Sequence, residues 1–457
     1  MNPKTLAALA LATAALSACG HKAPPAPASG DFKAQVWVLP AEAGSLAPDL
    51  VRAPDGRILL SWINRREGRR NVLQFSSYTE QDGWQSQPRT IAIGNTLAAS
   101  GVSIPHLLAT SDGALWAQWL QTRPVQSGTH DADMTLARSR DGGMTWAQMT
   151  RVNDDAASAE HGFAALWPEG ADRIGIAWLD GRDLSAGGQT TDGSGAGEHA
   201  EHAEHAERAD GHADHAMADM PGMAGMHHDA QGDSKSTQLR VNGFDMDLRR
   251  GADTVLDPHS CDCCQIAVAM TTRGPLLAYR ARSAENVRDI ATLRFENGKW
   301  TTPHRVHEDG WKIAACPVAG PALAASGNTV VVAWYSERDG KPLLQVAHSA
   351  DAGDTFAAPV DLDPGQTVLG RVGVALDGQQ AWVAWLRETA QGQTLMLARY
   401  APDLSKRLQL IEVARLGARG MASGYPKLLA GDGMAWLVWT DSEGGTARLK
   451  GARIVRQ

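Results

Sequence analysis

Short apolar runs that end in an aromatic residue recur along this chain: Ile58–Trp62, Leu115–Trp119, Ile174–Trp178, Pro275–Tyr279, Val330–Trp334, Ala381–Trp385 and Ala435–Trp439. Each is too short for a helix and is bounded by turn residues such as Asp55-Gly56, Asp112-Gly113 or Asp432-Gly433, the pattern of a strand buried on both faces. The aromatic positions lie 57, 59, 101, 55, 51 and 54 residues apart. Removing an insertion of roughly 45 residues from the one long interval restores the period. Every unit opens on a strand signal such as Pro105-His106-Leu107 or Pro426-Lys427-Leu428, and a third and a fourth strand follow the aromatic in most units. Four short strands per repeat predict an all-β chain folded as a β-propeller of four-stranded blades, with seven repeats counted. The last unit, ending Leu449–Val455, holds only three strands. The N-terminal Ala34–Leu39 is expected to supply the fourth and close the ring, which removes a free sheet edge.

The insertion, residues 184–236, breaks this pattern because it has no apolar periodicity at all. Between Glu198 and His228 it carries His199, His202, His205, His212, His215, His227 and His228 together with Met217, Met220, Met223 and Met226, largely at every third position. Such a tract cannot pack a core, so its side chains are its content. Imidazole and thioether suit copper better than calcium or magnesium, which take oxygen. The insertion is therefore expected to be a copper-binding arm.

The chain opens with Lys4, an apolar run from Leu6 to Leu16, and Leu16-Ser17-Ala18-Cys19-Gly20. A basic start, a short apolar core and small residues before a cysteine read as a bacterial signal peptide over residues 1–18, too short to span a bilayer. The sequence around Cys19 resembles a lipobox. That resemblance implies lipidation of Cys19, a Pro- and Ala-rich tether over residues 19–30 and, with Gly20 rather than Asp after the cysteine, an outer-membrane lipoprotein facing the periplasm or exposed at the surface. The repeats assign 31–457 to the propeller. The expected partners are the membrane, through Cys19, and either a metal-donor protein or a glycan. A net charge of −8 argues against nucleic acid, and a monomer is expected.

Cys19 aside, four cysteines remain: Cys261, Cys263, Cys264 and Cys316. In a propeller the start of each innermost strand and the end of the second strand share one rim of the channel. That rim collects Glu160, His161, the four cysteines, Arg371 and Tyr425 from unit starts, and Asp180, Arg182, Arg280, Arg282, Glu337 and Glu388 from beyond the recurrent aromatic. Adjacent Cys263 and Cys264 would be strained as a mutual pair. The cluster is read as disulfides that cross-pair with Cys261 and Cys316, as a thiolate metal site joined by His259 or His161, or as a redox-active dithiol. Thiolates near a Met-rich arm favour Cu(I) over zinc. The arginines are expected to line a wet channel and either pair with Asp180, Glu337 and Glu388 or bind an anion.

Ser139-Arg140-Asp141-Gly142-Gly143-Met144-Thr145-Trp146 and Ser349-Ala350-Asp351-Ala352-Gly353-Asp354-Thr355-Phe356 resemble the Asp-box of the sialidase (BNR-repeat) superfamily. The resemblance implies a sialidase-like propeller, in that family usually of six blades, and a glycoside hydrolase with an arginine triad, a Tyr–Glu nucleophile pair and an Asp acid/base. Carried onto this chain, the catalytic set would be Tyr425, Glu160, Asp180, Arg282, Arg371 and Arg419. The Arg-Ile-Pro motif that supplies the family's first arginine is replaced by Leu46-Ala47-Pro48 and Ser103-Ile104-Pro105. A nearer resemblance is to exported sialidase-like proteins with Cys261-Asp262-Cys263-Cys264 and Cys316-Pro317-Val318-Ala319-Gly320-Pro321, matched also at Glu160–Phe163, Trp178–Arg182 and Tyr279–Ser283. It implies fold and export rather than a reaction. A non-catalytic binding scaffold is the remaining alternative.

Overall fold

The computed structural model describes residues 30–457 apart from 67, 69, 124–130, 147, 186–235, 314, 316 and 366. Cys19, Cys316 and all the His and Met residues of the arm lie outside the described residues. The repeat units become seven antiparallel blades. Blade 1 is Ser45–Arg52, Ile58–Asn64 and Asn71–Thr79, with an outer strand split into Gly83–Trp84 and Arg89–Gly94. Blade 2 is His106–Ala109, Leu115–Thr122, Ala132–Ser139 and Gln148–Arg151. Blade 3 is His161–Pro168, Ile174–Asp180, Thr237–Phe244 and Thr254–Ser260. Blade 4 is Ala267–Thr271, Gly274–Arg280 and Ile290–Glu296, with Lys299–Trp300 and His304–Arg305 on its outer edge. Blades 5 and 6 run from Ala322 to Pro364 and from Val368 to Leu416. Seven blades stand, as the repeat count predicts and unlike the six that the sialidase resemblance implies.

The ring closes through its termini. Phe32–Val36 pairs antiparallel with Thr446–Arg456 as the outermost strand of blade 7, whose inner strands are Lys427–Gly431 and Met434–Glu443. The closing strand begins two residues before the predicted one. Gln409 of blade 6 clamps it from the side, accepting from Phe32 N at 3.0 Å and donating to Phe32 O at 2.8 Å.

The core is divided among the blade interfaces. Seven apolar clusters of described residues each join one neighbouring pair of blades. The seven recurrent aromatics, Trp62, Trp119, Trp178, Tyr279, Trp334, Trp385 and Trp439, are all buried. An eighth cluster is different, because Ile104, Cys261, Cys263, Cys264, Val318 and Tyr425 come from segments that precede blades 2, 4, 5 and 7. Blades that are not neighbours can meet only on the axis, so this cluster plugs the channel.

Both Asp-boxes form the expected turn. Ser139 Oγ donates to Asp141 at 2.7 Å, and Asp141 accepts from the backbone of Met144 and Thr145 and from Thr145 Oγ1; Ser349, Asp351 and Thr355 repeat this. Each box also seats on the preceding blade through a glycine. Gly143, at φ +86°, has the Phe75 ring 2.3 Å from where a Cβ would stand. Gly143→Ala is expected to lose about 1–3 kcal/mol from the left-handed backbone, plus the overlap with Phe75. Gly56→Ala, with the same backbone sign but open space around it, should lose only the first part, and paired urea unfolding curves separate the two.

One ion cluster pins three blades together. Asp49 of blade 1 accepts from His106 Nδ1 at 3.2 Å and Leu107 N at 3.3 Å in blade 2, and lies 3.4 Å from Lys427 Nζ in blade 7. Burial alone would raise its pKa, but Lys427 and His106 overcome that and hold the carboxyl well below the usual range. A carboxyl depressed in the folded state adds stability above about pH 4 that is lost as pH falls through its folded value. Asp49→Asn is expected to cost about 3 kcal/mol at neutral pH and to flatten the acid limb of a stability-versus-pH profile.

Candidate functional site

The axial cluster is built on the link between blades 3 and 4. Blade 3 ends at Ser260, and a turn at Asp262 and Cys263 carries the chain into blade 4. Cys261 N donates to Arg280 O at 2.9 Å and Arg282 N to His259 O at 3.1 Å, which fixes this link against the end of the second strand of blade 4. From blade 5 the Val318–Gly320 segment presses in, and a Cβ on Gly320 would stand 2.2 Å from Gln265 O. The sulfur atoms of Cys261, Cys263 and Cys264 consequently lie within 4.8 Å of one another. Cys263 is in a disulfide, whereas Cys261 and Cys264 are free thiols.

Positive charge surrounds these sulfurs. Arg280, fully buried, donates to the carbonyls of Ala319, Arg288 and Tyr335 and sits 4.8 Å over the Trp311 ring. Arg288 is 3% exposed, and its Nε and Nη1 are buried with no hydrogen-bond partner. Burial opposes ionisation of Cys261, but a hydrogen bond with Cys264 and the charges of Arg288 and Arg280 bring its thiol down to about 7. Burial and the neighbouring Cys261 push Cys264 up instead. One thiolate and one thiol therefore share the site near neutral pH. The ultraviolet thiolate absorbance is expected to titrate near the 7 of Cys261 and to lose that step in Cys261→Ser.

Arg371 and Tyr425 complete the plug. Arg371 Nη1 donates to Ser423 Oγ at 2.6 Å and Nη2 to Met421 Sδ at 3.0 Å, while the Tyr425 hydroxyl donates to Val318 O. Burial raises the pKa of Tyr425 and lowers that of Arg371.

The other predicted residues go elsewhere. Asp180 is fully buried and accepts from Trp178 Nε1 at 2.9 Å and from Arg182 at 2.7 and 2.8 Å. Burial opposes its ionisation, yet Arg182 and the facing His161 hold it below the usual range, so it keeps no proton to donate. Glu160 stands at the entry to blade 3, its carbonyl accepting from Gly181 N at 2.9 Å. Arg282 bonds Asn286 at 2.9 Å and lies 3.5 Å from Asp262. Arg419 donates to the carbonyls of Thr389 and Ala390 and lies 3.7 Å from Glu388. Of the six residues that the sialidase resemblance assigns to catalysis, the structure brings only Arg371 and Tyr425 to the axial cluster.

Three expectations are corrected. Of the arginines expected to line a wet channel, Arg280 and Arg371 are buried with the plug, while Arg182 pairs with Asp180 as expected. His161 is no ligand to the cysteines: its Nδ1 faces Ala132 O at 2.9 Å and its Nε2 faces Asp155 at 3.1 Å and Asp180 at 3.6 Å. That His161–Asp155–Asp180 group already holds a cation, Arg182. His259 is exposed at the edge of blade 3, although its carbonyl holds the cysteine link in place. Arg288, Trp311 and Ile104 are the members that the sequence pattern does not single out.

No family model matches the chain, and no curated protein matches it. Among solved structures it is similar to a protein of unknown function from Dyadobacter fermentans, at 13% identity and a TM-score of 0.49, over 93% of this chain and 98% of that one. It is also similar to the K499G mutant of NanB sialidase from Streptococcus pneumoniae, at 10% identity and a TM-score of 0.45, over 88% and 83%. Trypanosoma rangeli sialidase matches at 11% identity and a TM-score of 0.42, and this chain covers 57% of its length. The fold is a seven-bladed β-propeller. The propeller carries a cysteine cluster where its axis is plugged. Among the described residues no helix is long and apolar enough to cross a membrane.

Proposed function

We propose that this protein is an exported, lipid-anchored propeller that binds Cu(I) through Cys261 and Cys264, with the His/Met arm as the feeder and Cys19 as the anchor to the outer membrane. The observation that carries the reading is the pair of free, hydrogen-bonded thiols, buried beside the charges of Arg280 and Arg288. Cu(I) is satisfied by two thiolates, and that complex has one net negative charge, which the buried guanidiniums compensate. Zinc wants four ligands, and His161 and His259 are placed elsewhere. The arm's return point supports its role, because Ser236 Oγ donates to Ser260 O at 3.3 Å and Ser260 Oγ to Thr237 O at 2.8 Å. Ser260 is the residue before Cys261, so the arm is rooted beside the thiols.

A Cu(I) competition titration on the reduced soluble chain from residue 20 onward, beside a version lacking residues 193–229, tests the reading. Tight binding in both, with slower loading in the shortened chain, is expected. Absence of tight Cu(I) binding in either would overturn it. On a fluorogenic sialoside no turnover is expected, since Tyr425 is sealed in the plug and Asp180 is held ionised by Arg182; turnover lost in Tyr425→Phe would reinstate the glycosidase.

A further inference from the structure

We propose that Cys261 and Cys264 are also a two-electron donor pair and that this protein reduces Cu(II) to Cu(I). The inference rests on the copper reading above but concerns a separate property of the same sulfurs. Cys261 and Cys264 stand in C-x-x-C spacing, which the adjacent Cys263 obscures in the sequence. The turn at Asp262 and Cys263 folds this spacing so that the two sulfurs lie within 4.8 Å and share a hydrogen bond. A third sulfur at the same distance, that of Cys263, is already in a disulfide. The cluster therefore holds oxidised and reduced sulfur side by side, and a dithiol kept beside a disulfide is not a structural brace. Arg288 lies against this pair with buried Nε and Nη1 that have no hydrogen-bond partner, and its positive charge stabilises the Cys261 thiolate, so the pair is held in the reduced form until a strong oxidant meets it.

The ligand chemistry names the acceptor. Cu(II) prefers tetragonal nitrogen and oxygen donors, whereas thiolates select Cu(I). In the balanced step two Cu(II) ions take one electron each, one from the Cys261 thiolate and one from Cys264, Cys264 releases its proton, and the Sγ–Sγ bond forms between them. The products are two Cu(I), one disulfide and one proton. The oxidised pair has no thiolate left to hold copper, so donation and Cu(I) binding exclude each other in one chain. A thiol reductant returns the pair to the binding state.

The test uses the full soluble chain without oxygen, Cu(II) sulfate, and a chromophoric chelator selective for Cu(I). Alkylation and peptide mass spectrometry follow. Two Cu(I) per chain and a Cys261–Cys264 disulfide are expected, with Cys263 unchanged, and Cu(I) binding should return after dithiothreitol. Cys264→Ser should give no internal disulfide. Should that variant fail to fold, equilibration of the unsubstituted, metal-free chain in glutathione buffers decides: one two-electron transition, assigned to the Cys261–Cys264 peptide, is expected. Thiols that stay open to alkylation after Cu(II), or no such transition, would overturn the proposal. Cu(I) bound tightly without Cu(II) reduction sinks this inference and leaves the binding reading intact. Reduction of Cu(II) by a chain that, once re-reduced with dithiothreitol, still fails to bind Cu(I) does the reverse.

Discussion

Cu(I) affinity is expected to fall at least about 100-fold in Cys264→Ser, because removing one of two ligands should exceed the ~10–100-fold typical of losing an outer-shell partner. In free energy that is at least about 2.7 kcal/mol. The serine keeps the shape of the side chain, and its hydroxyl can still bond Cys261, so the plug around Ile104, Val318 and Tyr425 should stay packed. Arg288→Met is the matched variant, since it leaves both sulfurs in place and deletes the positive charge that faces Cys261. Its expected loss is about 10- to 100-fold, and its thiolate absorbance should titrate above that of the unsubstituted protein. The two variants separate a ligand from a counter-charge in one competition assay. Unchanged affinity in both would remove copper from the account of this site.

Ring closure gives the largest expected effect on stability. Phe32, 2% exposed, lies edge-on to Trp382 at 5.4 Å, with the Arg399 guanidinium 3.8 Å over its ring. Phe32→Ala should cost about 3–5 kcal/mol, a large share of the roughly 5–15 kcal/mol that holds a domain folded. The loss will read as a lower urea midpoint with an unchanged slope, provided the transition stays cooperative. Deleting residues 30–36 goes further, because it bares the edge of the long Thr446–Arg456 strand. Such an edge templates pairing with other chains, so dimers or aggregates are expected on size exclusion. A deletion that stays monomeric with the original midpoint would show that blade 7 does not need its fourth strand.

The fold was legible because its core is periodic. Trp62, Trp119, Trp178, Tyr279, Trp334, Trp385 and Trp439 mark one strand per blade, and a strand buried on both faces reads as an unbroken apolar run. The closing strand was legible from a deficit, three strands in the last unit, but its start was misplaced by two residues because Phe32 earns its burial from Trp382 in another blade. The site was legible only in its chemistry. Which rim the cysteines occupy follows from strand direction, so their meeting was predictable. Its sealing was not, since burial there depends on Ile104 and Val318, isolated apolar residues in loops that carry no period. The same limit hid Arg288, a single basic residue whose meaning comes from the sulfurs that it faces. His161 misled for a related reason: its position in a unit start was right, but Asp155 and Asp180 capture its ring from the side.

The hairpin that carries the arm has a further consequence. Ile174–Asp180 pairs without interruption with Gln238–Phe244, so the sheet of blade 3 is complete up to the residue pair from which the arm departs. Joining those ends through about 50 residues rather than about four raises the closure entropy by only about 2 kcal/mol. The propeller thus acts as a mount with a socket in it. Tracts of other lengths and compositions can be exchanged at that socket while the seven blades, and the sulfurs behind them, keep their places.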